Sequence, residues 1–278
     1  DVSFKNINIS GSPSISITAP KASLENVVIT GTYPYTNYGG INLYGTAASN
    51  DDVMVFKNVT ITKAFKALHI IHTGTVRIED CYLDAVYPFN CNGSKGNMIV
   101  TNTTLKGWTS YNNGAVADYT VSFDNCTFGA SDDFGYSFTR PYNSTTYTDC
   151  TFESGYSIGG STSNCKEGDK VILTFVNCTY AGSPFTFTSN CLEQDYMAAE
   201  KHGYVIEGEN YYFENEVLKG ENTAEVLATT TEALGSAAAE EDAVVLLPSG
   251  TFDIPASIAE GVTIDGGEND VIINVGAT

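Results

Sequence analysis

The stretch Phe123-Asp124-Asn125-Cys126-Thr127-Phe128 decides the fold of this chain, because its pattern occurs eight times between residues 4 and 180. Each copy carries Asn or Asp at its third position, in the residues Asn6, Asn26, Asn58, Asp80, Asn102, Asn125, Asp149 and Asn177. Neighbouring copies lie 20 to 32 residues apart. A unit that recurs every 20 to 50 residues or so is the signature of a solenoid.

Three positions in each copy are apolar, cysteine or threonine, and we expect them to face a core. In the third copy these residues are Phe56, Val59 and Ile61, which lie two before, one after and three after Asn58. A straight strand alternates its faces, so inward residues on both sides of Asn58 require a corner there. Asn and Asp tolerate the left-handed backbone of a tight corner. Stacked coils would align these side chains in a hydrogen-bonded ladder at a spacing of about 4.8 Å.

The residues that point outward support the same stacking. Just before the first four ladder residues come Lys5, Glu25, Lys57 and Glu79, which alternate in sign and offer each coil an oppositely charged neighbour. The sequence therefore predicts an all-β chain, a right-handed parallel β-helix solenoid with one short capping α-helix. In its coils the chain resembles the pectate-lyase-like superfamily. This resemblance implies a fold and leaves the activity open.

The charge of the chain narrows the range of partners. Its formal net charge is −20, with 13 Lys and Arg against 33 Asp and Glu. Such a balance argues against nucleic acid and anionic membranes as partners. No apolar run is long enough to predict membrane insertion. The composition, rich in the small and polar residues that corners require, predicts an extracellular or cell-surface bacterial protein.

Neither the cysteines nor the acidic turn near the C-terminal end of the sequence forms a clear cofactor-binding motif. Four of the seven cysteines occupy one inward position of the repeat, and we interpret them as small buried side chains. Cys165 and Cys191 flank one coil, and whether they pair stays open. We expect no cofactor and no fixed metal site. Calcium remains an alternative, because the turn at residues 266 to 270 weakly resembles a calcium-binding turn.

The C-terminal segment differs from the coils. We divide the chain into β-helix coils at 1–221 and a segment at 222–278 that contains an α-helix. That helix is predicted from Val226, Leu227, Leu234 and Ala238, with Asn222 or Thr223 as its cap. The segment resembles the amino-terminal cap and first coil of pectate-lyase-like β-helices.

Four interpretations of that displaced cap remain open. The chain is one unit of a tandem array, a circular permutant, or a solenoid followed by a truncated second one. In the fourth, subunits stack head to tail, with residues 271 to 275 of one copy against the first coil of the next. Uncapped solenoid ends expose strand edges and apolar core, which favours stacking.

Few residues suggest catalysis. The weak candidates, if this is an enzyme, are Asp132, Asp133 and Arg140, since paired carboxylates are the groups that glycosidases use. The Gly-His-Gly and Arg-Ile-Lys motifs of polygalacturonases do not occur in the sequence. We predict that His69 and His72 lie on opposite faces of a strand, with one of them buried.

Two groups of aromatic residues are candidates for sugar binding. Tyr33, Tyr35 and Tyr38 lie in the longest interval between copies, and Trp108 and Tyr111 follow the fifth copy. Aromatic rings with a polar atom favour contact sites, although packing on the solenoid flank is the alternative.

From these observations we expect a non-enzymatic extracellular structural or adhesive β-helix protein, whose partners are further copies of itself and host or environmental glycans. The alternative is a polysaccharide lyase, a glycoside hydrolase or a carbohydrate-binding module of the β-helix type.

Overall fold

The computed structural model describes residues 1–11, 14–32, 40–45, 51–91, 96–109, 120–141, 143–159, 171–189, 191–192, 202–214 and 217–276. These residues form a parallel β-solenoid of about nine turns. The strands are β1 (Val2–Ser10), β2 (Ser14–Ile17), β3 (Ala22–Thr30), β4 (Gly40–Leu43), β5 (Val53–Ile70), β6 (Thr75–Glu79), β7 (Tyr82–Cys91), β8 (Met98–Thr101), β9 (Thr104–Lys106), β10 (Trp108–Thr109), β11 (Val121–Asp124), β12 (Thr127–Gly129), β13 (Phe138–Thr139), β14 (Thr145–Thr148), β15 (Thr151–Phe152), β16 (Ser157–Ile158), β17 (Val171–Val176), β18 (Thr179–Tyr180), β19 (Ser183–Pro184), β20 (His202–Ile206), β21 (Glu209–Glu214), β22 (Val217–Gly220), β23 (Glu225–Ala228), β24 (Val244–Leu246), β25 (Gly250–Asp253), β26 (Thr263–Asp265) and β27 (Val271–Asn274). The helix is α1 (Thr231–Ala237).

The coils stack in the register that the repeat predicts. β1, β3 and β5 are parallel, with Phe4 beside Leu24 and Leu24 beside Phe56. Further along, β11, β14 and β17 are parallel, with Tyr147 between Phe123 and Phe175. The predicted all-β parallel β-helix is therefore confirmed.

The ladder residues form the predicted corners. All eight have left-handed backbone, with φ between 49° and 55°. Their side chains bond from coil to coil: Asn26 Nδ2 donates to Asn6 Oδ1 at 2.9 Å, and Asn58 Nδ2 donates to Asn26 Oδ1 at 2.7 Å. Asn102 bonds to Asp80 at 3.1 Å and Asn125 to Asn102 at 2.9 Å, and Asn177 donates to Asp149.

Each aspartate interrupts this ladder on one side. Every bond in the ladder runs from an amide Nδ2 to the preceding coil. A carboxylate accepts hydrogen bonds but has none to donate. Asp80 therefore receives a bond from Asn102, while no hydrogen bond joins it to Asn58 in the described ladder.

We expect Asp80→Asn to stabilise the protein, because the new amide would complete the ladder to Asn58 Oδ1. One added hydrogen bond contributes about 0.5–1.5 kcal/mol to the free energy of unfolding. Urea denaturation measures the change. Asp124→Asn, at a neighbouring exposed position outside the ladder, removes the same charge and controls for reduced repulsion. An equal gain in both variants would contradict the hydrogen-bond explanation.

From the fourth copy on, cysteine or threonine occupies the position one residue after the ladder, and the side chains in this column do more than fill space. Thr103 Oγ1 accepts a hydrogen bond from Cys81 N at 3.2 Å and donates to Thr101 O at 2.8 Å. Cys81 Sγ takes the same place one coil earlier, accepting from Val59 N at 3.4 Å and contacting Glu79 O at 3.1 Å. This column thus supplies an acceptor for a buried backbone N–H beside the corner. Burial raises the pKa of the Cys81 thiol to about 12, so the thiol stays protonated.

We expect Thr103→Val to lower the free energy of unfolding by about 1–2 kcal/mol, because it leaves the N–H of Cys81 without its acceptor. Thr103→Cys restores a polar atom of the kind that neighbouring coils use, and it should cost less than half as much. Urea denaturation of both variants measures the difference. Equal losses would show that side-chain volume, and not the hydrogen bond, decides stability at this position.

The solenoid ends in an antiparallel meander that reverses the strand direction. β20 is parallel to β17, whereas β20–β21, β21–β22 and β22–β23 are antiparallel. β24 and β26 then follow β23 in parallel. Adjacent residues of β22 serve two cores, since Leu218 belongs to the long solenoid core and Val217 to a second core.

The predicted start of the helix was wrong. α1 begins at Thr231, and the side chain of Thr230 caps it by accepting from Ala233 N at 3.0 Å. Val226 and Leu227 belong to β23 and not to the helix. They face different cores, Leu227 the long one and Val226 the second, which is the alternation of a strand.

Candidate functional site

A loop that follows β12 folds back over the outer surface of earlier coils and is held there by Asp84. Ser131 Oγ donates to Asp84 Oδ1 at 2.6 Å, and Asp132 N donates to Asp84 Oδ2 at 3.4 Å. Asp84 is the third residue of β7, and it is only 3% exposed. The buried carboxylate therefore anchors the loop at residues 131–135.

Asp132, within this loop, attaches it to the strands beneath at a second point. Lys106 Nζ bonds to Asp132 Oδ1 at 2.7 Å, and Tyr82 donates its hydroxyl to Asp132 Oδ2 at 3.2 Å. Tyr82, Asp84 and Lys106 come from neighbouring parallel strands, β7 and β9, in which Asp84 is paired with Lys106. In-register stacking of the coils thus creates the cluster.

The two carboxyls of the cluster are shifted in opposite directions. Burial raises the pKa of Asp84, and the nearby Asp132 adds to the rise while the Ser131 hydroxyl opposes it. The hydrogen bond from Lys106 lowers the pKa of Asp132. Carboxyl pairs whose pKa values diverge are the arrangement that acid–base catalysis uses. Here, however, the hydrogen bonds of both carboxyls go to the loop itself and to its support.

A groove opens beside the tip of this loop. Its volume is about 530 Å³, and it is lined by Thr30, Gly31, Thr32, Lys63, Asp133 and Phe134. Lys63 places a cation and Asp133 an anion on its walls. The predicted tyrosine loop, with Tyr33, Tyr35 and Tyr38, begins immediately after Thr32 in the sequence and lies outside the described residues.

An aromatic row crosses four coils on the adjoining surface. Tyr87 and Trp108 have ring centroids 4.8 Å apart, and Trp108 and Phe138 are 4.7 Å apart. Phe65 extends the row beyond Tyr87 at 5.3 Å. The guanidinium of Arg140 lies 4.9 Å from the ring centroid of Phe138, a cation–π contact.

The structure separates the predicted catalytic residues. Asp132 lies in the cluster with Asp84 and Lys106, Asp133 lies in the groove, and Arg140 packs on the aromatic row. Trp108 is half-buried within that row, and Tyr111 lies outside the described residues. Asp84 and Lys106 were missed by the sequence analysis, although both depart from the small residues found four after the ladder in earlier copies, such as Thr30.

The prediction that His69 and His72 lie on opposite faces of a strand was wrong. His69 is 6% exposed and His72 is fully buried. β5 ends at Ile70, so strand alternation no longer applies at His72. His72 Nε2 bonds to Pro20 O at 2.9 Å and its Nδ1 accepts from Gly74 N at 3.1 Å. Both histidines therefore belong to the fold.

We expect the protein to lose stability as the pH falls below about 6.5, the usual pKa of an unfolded histidine. Burial lowers the pKa of His69, and the charge of Lys66 lowers it further. The folded state therefore binds fewer protons than the unfolded chain, and its stability is complete only above that pH. Urea midpoints at pH 8 and pH 5.5, compared with those of His69→Gln, measure the contribution. An identical pH dependence in the variant would contradict it.

Cys191 is a buried free thiol, whereas Cys165 lies outside the described residues. Across the described part of the chain, no group of three or more His, Cys, Asp or Glu residues could hold a metal ion. Nor does that part contain a helix long and apolar enough to cross a bilayer. No protein-family model, curated protein or solved structure matches this chain.

Proposed function

We propose that this chain is a non-enzymatic structural and adhesive solenoid that works outside a bacterial cell and is related in fold to the pectate-lyase-like superfamily. The observation that carries this proposal is the use made of its paired carboxylates. Asp84 is buried beneath Ser131 and Asp132, and it binds both. A general acid must reach the proton-accepting atom of a substrate. Among the described residues, the carboxylate of Asp84 accepts hydrogen bonds only from its own loop.

The cluster instead suits a protein that presents a surface loop to a binding partner. It fixes a surface loop to a rigid stack of parallel strands, and rigid scaffolds that carry loops are a common basis for recognition. Asp133 and Phe134 of the anchored loop line the groove at Lys63, and Lys106, which bonds to Asp132, lies two residues before Trp108 of the aromatic row. We expect glycans to bind at the groove and the aromatic row, which offer mixed charge and half-buried rings.

A polysaccharide panel tests the non-enzymatic part of the proposal. Reducing ends and unsaturated products would be measured for neutral and acidic polysaccharides, with and without calcium. We expect no cleavage by the wild-type protein. Cleavage that disappears in Asp132→Asn but persists in Asp124→Asn, with both variants folded, would overturn the proposal.

Glycan binding needs a separate measurement. A glycan array would be probed with the wild type and with Trp108→Leu, which removes the largest ring of the aromatic row. We expect a bound glycan whose signal falls about tenfold in the variant, since the contact of one aromatic ring contributes about 1 kcal/mol or somewhat more and about 1.4 kcal/mol corresponds to a tenfold change in affinity. Tyr212→Leu, an exposed tyrosine on the distant meander, is the matched control.

A second candidate function is glycoside hydrolysis, favoured by the opposite pKa shifts of Asp84 and Asp132. In that mechanism a protonated carboxyl donates to the leaving oxygen and an ionised one acts as base or nucleophile. It requires the loop at 131–135 to move so that Ser131 uncovers Asp84 while Asp132 stays beside Lys106. Activity that rises in Ser131→Ala, which removes one anchor of the loop, would support hydrolysis over display.

A further inference from the structure

A β-bulge places Lys63 beside the residue that anchors the loop at 131–135. The register between β5 and β7 shifts between Ile61 and Ala64, so that β5 has two residues, the second of them Lys63, where β7 has only Asp84. Bulges re-aim side chains and are frequent next to functional sites. The lysine that lines the groove and the carboxylate that fixes the loop therefore belong to one local feature of the sheet.

The backbone of Lys63 is strained. Its φ is 55°, in the left-handed region that a lysine rarely adopts. The two preceding coils carry glycine, Gly11 and Gly31, at the same distance from the ladder residue. Glycine enters this region at little cost, so the coil itself gives no reason for a lysine here. Backbone strain of this kind clusters at functional sites, which indicates a use for the Lys63 side chain on the surface.

The two charges on the walls of the groove face it without pairing. The side chains of Lys63 and Asp133 form no ion pair or hydrogen bond with each other, or with any other residue that the structure describes. Both are exposed. The adjacent Asp132, in contrast, is bonded to Lys106 and Tyr82. The groove therefore leaves a donor and an acceptor for a ligand that can both accept from an ammonium and donate to a carboxylate.

The rest of the lining suits a sugar ring. Phe134 contributes a half-buried aromatic ring, and Thr30 and Thr32 contribute exposed hydroxyls that can donate or accept hydrogen bonds. The volume of about 530 Å³ lies within the range of about 300–1,000 Å³ that is usual for small-molecule sites. A pyranose has an apolar face of C–H groups and a rim of hydroxyls, so one ring surrounded by a few polar groups matches both of its surfaces.

Charge distinguishes between classes of sugar. Lys63 and Asp133 are the two charged residues of the lining and they cancel, whereas the whole chain has a formal net charge of −20. A polyanionic glycan would be repelled by the chain and by Asp133, and a cationic glycan would meet Lys63 at the point of contact. A neutral hydroxyl both donates and accepts, so it can satisfy the carboxylate and the ammonium without adding a charge.

We propose that this groove binds a neutral hexose residue of a glycan, with sugar hydroxyls donating to Asp133 and accepting from Lys63, and with the apolar face of the ring on Phe134. This inference rests on the proposed adhesive function, to which it adds the class of sugar and the residues that select it. It also gives Asp84 a positioning role. By holding Ser131 and the backbone of Asp132, Asp84 fixes the wall of the groove that faces Lys63.

Calorimetric titration with defined oligosaccharides tests the inference. The probes are neutral pentasaccharides of glucose, mannose or galactose, together with pentasaccharides of uronic acids and of deacetylated glucosamine. We expect the wild type to bind a neutral probe at least tenfold more tightly than the charged ones. Asp133→Asn and Lys63→Met nearly keep the side-chain size, and each should weaken the neutral complex about tenfold, because a hydrogen bond to a charged group is lost. Asp124→Asn and Lys57→Met remove the same charges at other exposed positions, and should bind like the wild type.

The two groove variants should also change selectivity in opposite directions, which a merely structural role would not produce. Asp133→Asn leaves a net positive groove and should favour the uronic acid probe relative to the neutral one, whereas Lys63→Met should favour the glucosamine probe. Wild-type binding to charged probes alone would overturn the inference and leave the adhesive function in place. So would neutral binding that persists in both groove variants but is lost in Trp108→Leu. Binding to no probe of any class would overturn both.

Discussion

Replacing Phe152 with alanine should lower the free energy of unfolding by about 3–5 kcal/mol, the usual cost of removing a buried aromatic ring. Phe152 is fully buried in the centre of the solenoid. Its ring is stacked on Phe128 with the centroids 4.9 Å apart, and it meets Tyr147 at 5.4 Å and Phe185 at 5.7 Å. Neighbouring coils are held in register by backbone bonds, so they cannot collapse into the space that the ring leaves.

The measurement is urea denaturation followed by circular dichroism, with Tyr136→Ala as the control. Tyr136 is an aromatic residue of similar size that is 43% exposed, and its replacement should change the free energy of unfolding by less than about 1 kcal/mol. Because a solenoid has nearest-neighbour cooperativity, the Phe152→Ala transition should also broaden or split. Similar losses in both variants would contradict the packing described for this core.

Replacing Asn102 with alanine should cost about 2–4 kcal/mol, which is a large effect for an exposed side chain. Asn102 has a left-handed backbone with φ of 49°. Alanine in that conformation costs about 1–2 kcal/mol. The variant also loses two ladder bonds, one to Asp80 at 3.1 Å and one from Asn125 at 2.9 Å.

Asn102→Gly separates these two contributions. Glycine adopts the left-handed conformation freely, so this variant should lose the hydrogen bonds while avoiding most of the backbone strain. We expect it to be about 1 kcal/mol more stable than Asn102→Ala in urea denaturation. If Asn102→Ala were no less stable than the wild type, the corner would owe nothing to its asparagine.

The candidate site was predictable only in part. Asp132 stands out in the sequence beside Asp133, but Asp84 is 48 residues earlier, and nothing local links the two. Their contact depends on how far a surface loop reaches back across the stack. Arg140, a catalytic candidate together with Asp132, follows the loop in the sequence, yet Asp132 bonds to Lys106 and Arg140 lies over Phe138. Residues 132 and 140 are close in sequence, but the coil carries them to different surroundings.

The C-terminal segment shows the same division. Its apolar residues at 226 and 227 were assigned to a helix because they extend a helical spacing toward Leu234. In the fold they alternate between two cores, which makes that stretch β23 and delays α1 to Thr231. The spacing of apolar residues distinguishes a helix from a strand only when it is known how many cores the segment faces. Here the segment faces two cores, and the second one forms beyond the meander.

The solenoid, its register and its corners could all be predicted from the amino-acid sequence. Those features repeat eight times, and each rests on local chemistry: a left-handed Asn or Asp, inward apolar columns and outward charges of alternating sign. The anchoring of the loop at 131–135 became apparent only in the folded molecule, as did the sheet after β20 with a core on each face. Repeated local preferences add up along the chain and become readable, whereas a contact made once, between residues distant in sequence, depends on the path of the whole backbone.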